Sequence, residues 1–127
     1  MMQGLGIDIL AIDRFENLDN RKEFMENLFT TREIGSAQRW SRSDAVCAVY
    51  FTLKEAVLKA LGCGLGAGSF WHDIDAAHAD RIWGSHVKAL LDKRSITKVH
   101  DSSARTKKYA LSVVLLESED KSQEVTG

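Results

Sequence analysis

The chain has 127 residues, 44% of them hydrophobic, and a formal net charge of -1. That length and apolar fraction support one compact domain whose core needs no disulfide or metal staple, and the near-neutral balance excludes the broad basic footprint of a nucleic-acid binder. Two cysteines, Cys47 and Cys63, are too few for a disulfide framework or a thiolate metal site, and neither a secretory leader nor an apolar run of about 18 residues is present. A soluble, cytoplasmic protein with reduced thiols and no membrane contact is therefore expected.

Residues Gly4 to Ile12, GLGIDILAI, alternate so that Ile7 and Ile9 face one way while Asp8, Leu10 and Ile12 face the other. This predicts a strand with both faces at least partly buried. Asn20 to Leu28 and Thr31 to Trp40 read as two short helices, with Thr31 as N-cap and Glu33 in the first turn. Ser43 is a further N-cap candidate, Asp44 complements a helix dipole, and no Gly or Pro interrupts the run to Leu61, which predicts the longest helix of the chain. Gly62 stops that helix. Gly64, Gly66 and Gly68 then alternate with Cys63, Leu65 and Ala67, a loop free to adopt left-handed backbone. FWHDIDA, Phe70 to Ala76, reads as a strand, Ser85 to Lys93 as a short helix, and YALSVVLLE, Tyr109 to Glu117, as a buried strand. Residues 118–127 are charged and polar and read as a solvated tail, leaving 1–117 as a single domain. The order of elements implies an α+β layer with the long helix packed on a sheet.

Two carboxylates stand out. Asp8 sits in a strand among Gly6, Ile7, Ile9 and Leu10, where a charge loses water and must find a partner. That partner is either a core Lys or Arg, or a neighbouring turn, or a metal ion. Glu55 lies on the long helix with Phe51, Thr52, Leu58 and Lys59 on its face. Its plain reading is an i, i+4 pair with Lys59, and Lys54 is free to point to solvent. Together, a strand carboxylate, a helix carboxylate and a following glycine loop suit a diphosphate: magnesium takes one or two protein carboxylates, keeps several waters and completes its shell with phosphate oxygens. The loop brings backbone N–H groups towards an anion, or serves only as a helix cap and connection. There is no Walker motif, no G-x-G-x-x-G and no H-E-x-x-H, and His72, His78, His86 and His100 lack zinc-ligand spacing.

These segments resemble the holo-acyl-carrier-protein synthase type of 4'-phosphopantetheinyl transferase. GLGIDILAIDRF, Gly4 to Phe15, is similar to that family's opening G-I/T-D-I/V strand, and NLFTTREI, Asn27 to Ile34, to its F-T-x-x-E helix start. FTLKEAVLKALGCGL, Phe51 to Leu65, resembles the F-x-x-K-E-A-x-x-K-A-L-G-T-G core, the most specific of the matches. WHDID and YALSVVLLE resemble the D-I-E strand and the closing strand. The resemblance implies a 4'-phosphopantetheinyl transferase-like fold, with the long helix on an antiparallel sheet, usually a homotrimer with active sites between protomers. It implies magnesium-dependent transfer of 4'-phosphopantetheine from coenzyme A to a serine of an acyl carrier protein, releasing adenosine 3',5'-bisphosphate, within fatty-acid and lipid biosynthesis. Asp8 and Glu55 then hold the metal, Lys59 and Lys54 stand beside the phosphates, and Gly62, Gly64, Gly66 and Ser102 contact coenzyme A. Arg14, Arg21 and Lys22 meet the acidic carrier protein. The chain departs from the family pattern at Tyr50, where an arginine is common, and at Ser102 to Arg105, where S-x-S-H is common. The alternative implied by those departures is a catalytically weakened paralogue that binds a carrier protein or a nucleotide.

Overall fold

The computed structural model describes residues 1–16, 21–63, 70–78 and 82–119. Its elements are β1 (Met2–Ala11), α1 (Arg21–Leu28), α2 (Thr31–Ala37), α3 (Ser43–Ala60), β2 (Ile74–Asp75), β3 (Ile82–Trp83), α4 (Ser85–Lys93), β4 (Ile96–Arg105) and β5 (Tyr109–Ser118). The architecture is α+β: an antiparallel sheet of order β1-β5-β4 carries α3 across one face, and β2 and β3 form a separate two-stranded ribbon. The expected tail begins one residue too early, because Ser118 ends β5 and its N–H donates to the Met1 carbonyl at 2.9 Å.

Register explains how the two ends of the chain meet. Asp8 pairs with Ser112 of β5, and Ser112 pairs in turn with Ser103 of β4, so the three lie in one row across the sheet. On β5, alternation buries Ala110, Ser112, Val114 and Leu116 against α3, and Leu53 and Val57 of α3 complete that half of the core with Val87 of α4. A second apolar cluster gathers Ile12, Phe15, Leu28, Phe29 and Ala48 where the first helices meet α3.

Several local expectations are corrected. The outward face of β1 is not buried in the single chain: Leu5, Ile7 and Ile9 are 53%, 51% and 62% exposed. Thr30, not Thr31, caps α2, because its Oγ1 accepts the Glu33 N–H at 3.1 Å while the Glu33 carboxylate takes the Thr30 N–H at 2.8 Å. That reciprocal pair needs the T-x-x-E spacing, which Thr30 alone supplies. Arg42 occupies the N-cap of α3 without a side-chain capping bond, so Ser43 is its first helical residue. Of the FWHDIDA strand only Ile74 and Asp75 are extended; residues 70–73 form a 3-10 turn. Strand β4, ITKVHDSSAR, was not anticipated, since its mostly exposed residues carry almost no apolar alternation.

Helix α3 ends as expected. Gly62 has φ of +76°, the Cys63 N–H donates to the Leu58 carbonyl at 2.9 Å, and the Gly62 N–H donates to that of Lys59 at 3.0 Å. This is the Schellman closure, in which a residue without Cβ turns the chain left-handed. Gly64, Gly66 and Gly68 lie outside the described residues.

Candidate active site

Alternation along β1 puts Gly4, Gly6 and Asp8 on the face turned to α3. A Cβ at Gly4 would overlap the Ala60 carbonyl oxygen, and one at Gly6 the Ala56 carbonyl oxygen. The two glycines thus let the helix backbone lie directly on the strand. Asp8, the next residue on that face, then meets the last turn of α3. The Lys59 ammonium stands 2.7 Å from Asp8 Oδ1 and 3.1 Å from the Ile7 carbonyl oxygen. The Asp8 side chain is 14% exposed and that of Lys59 50%, so the pair lies at an opening rather than in the core. Lys59 therefore reaches across to the strand, where the i, i+4 reading had it turn back to Glu55.

Glu55 lies one turn before Lys59 on the same helix face. Its Oε1 accepts the indole N–H of Trp71 at 2.6 Å, and the Trp71 ring packs on Phe51 with centroids 6.0 Å apart. Two carboxylates from different elements, one of them beside the Lys59 ammonium, offer only hard oxygen donors to a cation. That donor set fits magnesium, which binds through one or two carboxylates and leaves room for water and phosphate oxygens. Asp8 and Glu55 are the residues able to hold it.

Lys54 goes the other way, correcting its expected place beside the phosphates. It is fully buried, with its ammonium 2.6 Å from Glu33 Oε1, 2.6 Å from the Trp71 carbonyl oxygen and 5.6 Å from the centre of the Phe29 ring. Burial lowers its pKa from the ordinary 10.5, and the Glu33 carboxylate partly offsets that. Glu33 is equally enclosed: besides Lys54 and the Thr30 N–H it takes the Ala76 N–H on Oε2 at 2.8 Å. A buried ion pair in which both carboxylate oxygens are hydrogen-bonded joins α2, α3 and the segment around Trp71.

The sequence reading missed two roles here. Glu33 was legible as a capping residue, and the T-x-x-E spacing is the signal, but nothing local marks its bond to Lys54. Nor does any local pattern mark Trp71 as a partner of Glu55.

The remaining expected site residues fall in three places. Gly62 closes α3 one turn beyond Lys59, while Gly64 and Gly66 lie outside the described residues. On β4, Ser103 faces α3, and its Oγ stands 2.7 Å from Ser112 Oγ, which is itself 2.8 Å from Thr52 Oγ1. Ser102 therefore alternates to the outward face of the sheet, away from Asp8 and Glu55 of its own chain. Arg14 is exposed on the 3-10 turn Ile12–Phe15 and Lys22 on α1, while Arg21 forms an ion pair with Asp44 and donates to the Phe15 carbonyl. Arg21 and Lys22 border a groove of about 630 Å³ floored by Met25, Ile34, Ala37 and Cys47. Burial pushes the Cys47 thiol up to about 11, so it is protonated at neutral pH and is no nucleophile. At the departure from the family pattern, the Tyr50 hydroxyl stands 3.0 Å from Ser36 Oγ, and its ring packs against both apolar clusters.

Residues 4–114 match the sequence profile of the 4'-phosphopantetheinyl transferase superfamily. The holo-[acyl-carrier-protein] synthase of Bacillus mycoides is 36% identical over 121 residues, covering 93% of this chain and 98% of its own. That of Finegoldia magna is 36% identical over 116 residues, covering 91% and 96%. Among solved structures, the holo-[acyl-carrier-protein] synthase of Neisseria meningitidis aligns with a TM-score of 0.80 at 26% identity, over 92% of this chain and 99% of that one. The Bacillus anthracis synthase, solved in complex with CoA (3',5'-ADP), aligns with a TM-score of 0.73 at 31% identity, over 94% and 99%.

Proposed function

The chain belongs to the 4'-phosphopantetheinyl transferase superfamily, in its holo-[acyl-carrier-protein] synthase branch, and from that premise we propose that it transfers the phosphopantetheine arm of coenzyme A to a serine of an apo acyl carrier protein. The observation that carries this reading is the contact of Asp8 on β1 with Lys59 of α3, which places the Asp8 carboxylate beside the helix that carries Glu55 one turn earlier. In the reaction, the serine oxygen forms a bond to the phosphorus that bears pantetheine. The bond from that phosphorus to the adenosine phosphate breaks, and adenosine 3',5'-bisphosphate leaves. Such phosphoryl transfers depend on positioning and on neutralising charge at the oxygens rather than on covalent protein chemistry.

Asp8 and Glu55 hold Mg2+, which when bound neutralises charge on the diphosphate. Lys59, half exposed beside Asp8, supplies a cation to the same phosphates. The serine proton passes to the Glu55 carboxylate or to a water beside it. Gly62, with its left-handed backbone, opens the chain along the coenzyme A arm; the matching Gly64 and Gly66 lie outside the described residues. Lys54 has no part in that contact, since its ammonium is enclosed by Glu33 and Trp71. Exposed Arg14 and Lys22, with Arg21 at the groove edge, attract an acidic carrier protein. No helix among the described residues is long and apolar enough to cross a membrane, and the reaction belongs to cytoplasmic fatty-acid and lipid biosynthesis.

The test is to incubate the protein with coenzyme A, Mg2+ and apo carrier proteins and to weigh the carriers by mass spectrometry. A phosphopantetheine adduct on a carrier serine, lost when the metal is chelated, is the expected result. Carriers that stay unmodified throughout would sink the assignment.

The assembly reading is a homotrimer joined through the outward face of the sheet. Leu5, Ile7 and Ile9 on β1 stand beside exposed Tyr109 and Leu111 on β5, a contiguous apolar surface of the kind that marks an interface. Ser102, outward on β4, is then offered to the neighbouring copy and its coenzyme A. Sedimentation equilibrium should give three times the 14.2 kDa chain mass, and Ile7→Glu should dissociate the assembly. A wild-type monomer at micromolar concentration would refute the trimer.

A further inference from the structure

Lys54 and Glu55 are consecutive residues of α3, and both hold Trp71. The Lys54 ammonium donates to the Trp71 carbonyl oxygen at 2.6 Å, and the Glu55 carboxylate accepts its indole N–H at 2.6 Å. The Lys54 end cannot yield, because its ammonium is also locked on fully buried Glu33. The ring itself rests on Phe51, 6.0 Å between centroids and inclined by 52°. The indole is thus fixed at its backbone and across its face before it meets the carboxylate.

A glutamate at a half-open site has three rotatable bonds and loses much rotamer freedom when it is ordered. A bond of 2.6 Å from an N–H to a charged oxygen is of the charge-assisted kind. It ties down Oε1 and leaves Oε2 for a cation. We infer that Trp71 is a positioning residue: its indole N–H, anchored through the buried Glu33–Lys54 pair, holds the Glu55 carboxylate in the orientation that receives the metal. This rests on the metal reading given above. Groups that hold a metal's ligands by hydrogen bonds typically matter 10–100-fold for metal affinity.

The test uses Mn2+ as the probe, with coenzyme A present, and reads free Mn2+ by electron paramagnetic resonance. Trp71→Phe keeps an aromatic ring on Phe51 while removing the N–H donor together with the second ring of the indole. It is expected to weaken Mn2+ binding by about 10–100-fold, with the thermal midpoint unchanged and the apparent KM for Mg2+ raised more than kcat falls. A wild type that binds Mn2+ with Trp71→Phe equal to it overturns this inference alone. A wild type that binds no Mn2+ overturns the metal reading and this inference together. Should Trp71→Phe lose stability, a second measurement decides. The Trp71 indole resonance, followed by proton–nitrogen NMR, is expected to move in Glu55→Gln while those of Trp40 and Trp83 stay; a Trp71 resonance indifferent to Glu55→Gln overturns the inference.

Discussion

Glu55→Gln and Asp8→Asn are each expected to reduce phosphopantetheine transfer by about 100-fold or more, the loss seen when one preorganised charge-stabilising group is removed from an active site. Both variants keep shape and remove charge, so the deficit should lie in the chemistry and in the Mg2+ requirement. A hundredfold loss corresponds to about 2.7 kcal/mol of transition-state stabilisation. The fold should survive both changes. Glu55 has its oxygen on Trp71 at the edge of the core, and Asn at position 8 forfeits only a pair whose lysine is half exposed, worth about 0–1 kcal/mol. Rates across a Mg2+ titration, with unfolding followed in parallel, provide the measurement. Either variant retaining full turnover, with or without chelator, would show that the metal is held elsewhere.

Glu33→Gln is expected to cost about 3–5 kcal/mol of folding stability, because it leaves the Lys54 ammonium buried without its counter-charge. Against a total of about 5–15 kcal/mol for a domain, that is a large fraction. Gln adds a second injury: the carboxylate accepts the Thr30 and Ala76 N–H groups on separate oxygens, and an amide turns a donor towards one of them. The deficit carries a pH signature. Lys54 already has a folded pKa below the ordinary 10.5 because of burial, and Glu33 raises it back in part. Without Glu33 the folded pKa falls further, the unfolded chain binds more protons over a wider range, and stability climbs with pH across that range. Guanidinium unfolding at about pH 7 and about pH 9.5 should therefore show Glu33→Gln closing part of its gap to wild type at the higher pH. A gap that widens with pH contradicts the buried charged pair.

This pair also shows where the sequence stops being readable. Lys54 and Lys59 look alike in KEAVLKA, both beside a candidate carboxylate on one helix. Their fates differ because Glu33, 21 positions before Lys54, is delivered to one side of α3 by the cap of α2, while Asp8 waits on the other. Helical spacing assigns side chains to faces but does not say which face will be covered by which distant segment. The Trp71 bond to Glu55 is of the same kind: a turn that looked like a strand brings an indole to the site.

By itself the sequence determined the elements with strong local signals and offered candidates for the site. β1, α3 with its Gly62 stop, α4 and β5 follow from alternation, helical run and cap chemistry, which act within a few residues. Asp8 and Glu55 were marked as a joint candidate by motif order. Tertiary structure alone decided three further things. The exposed polar strand β4 exists because its backbone pairs with β5, an interaction that its side chains do not announce. The outward face of β1, apolar by sequence, is left uncovered in the single chain. And Asp8 meets Lys59 because Gly4 and Gly6 let two backbones touch. Each depends on contact between segments far apart in the chain, where free energy is set by what lies opposite rather than by what lies next.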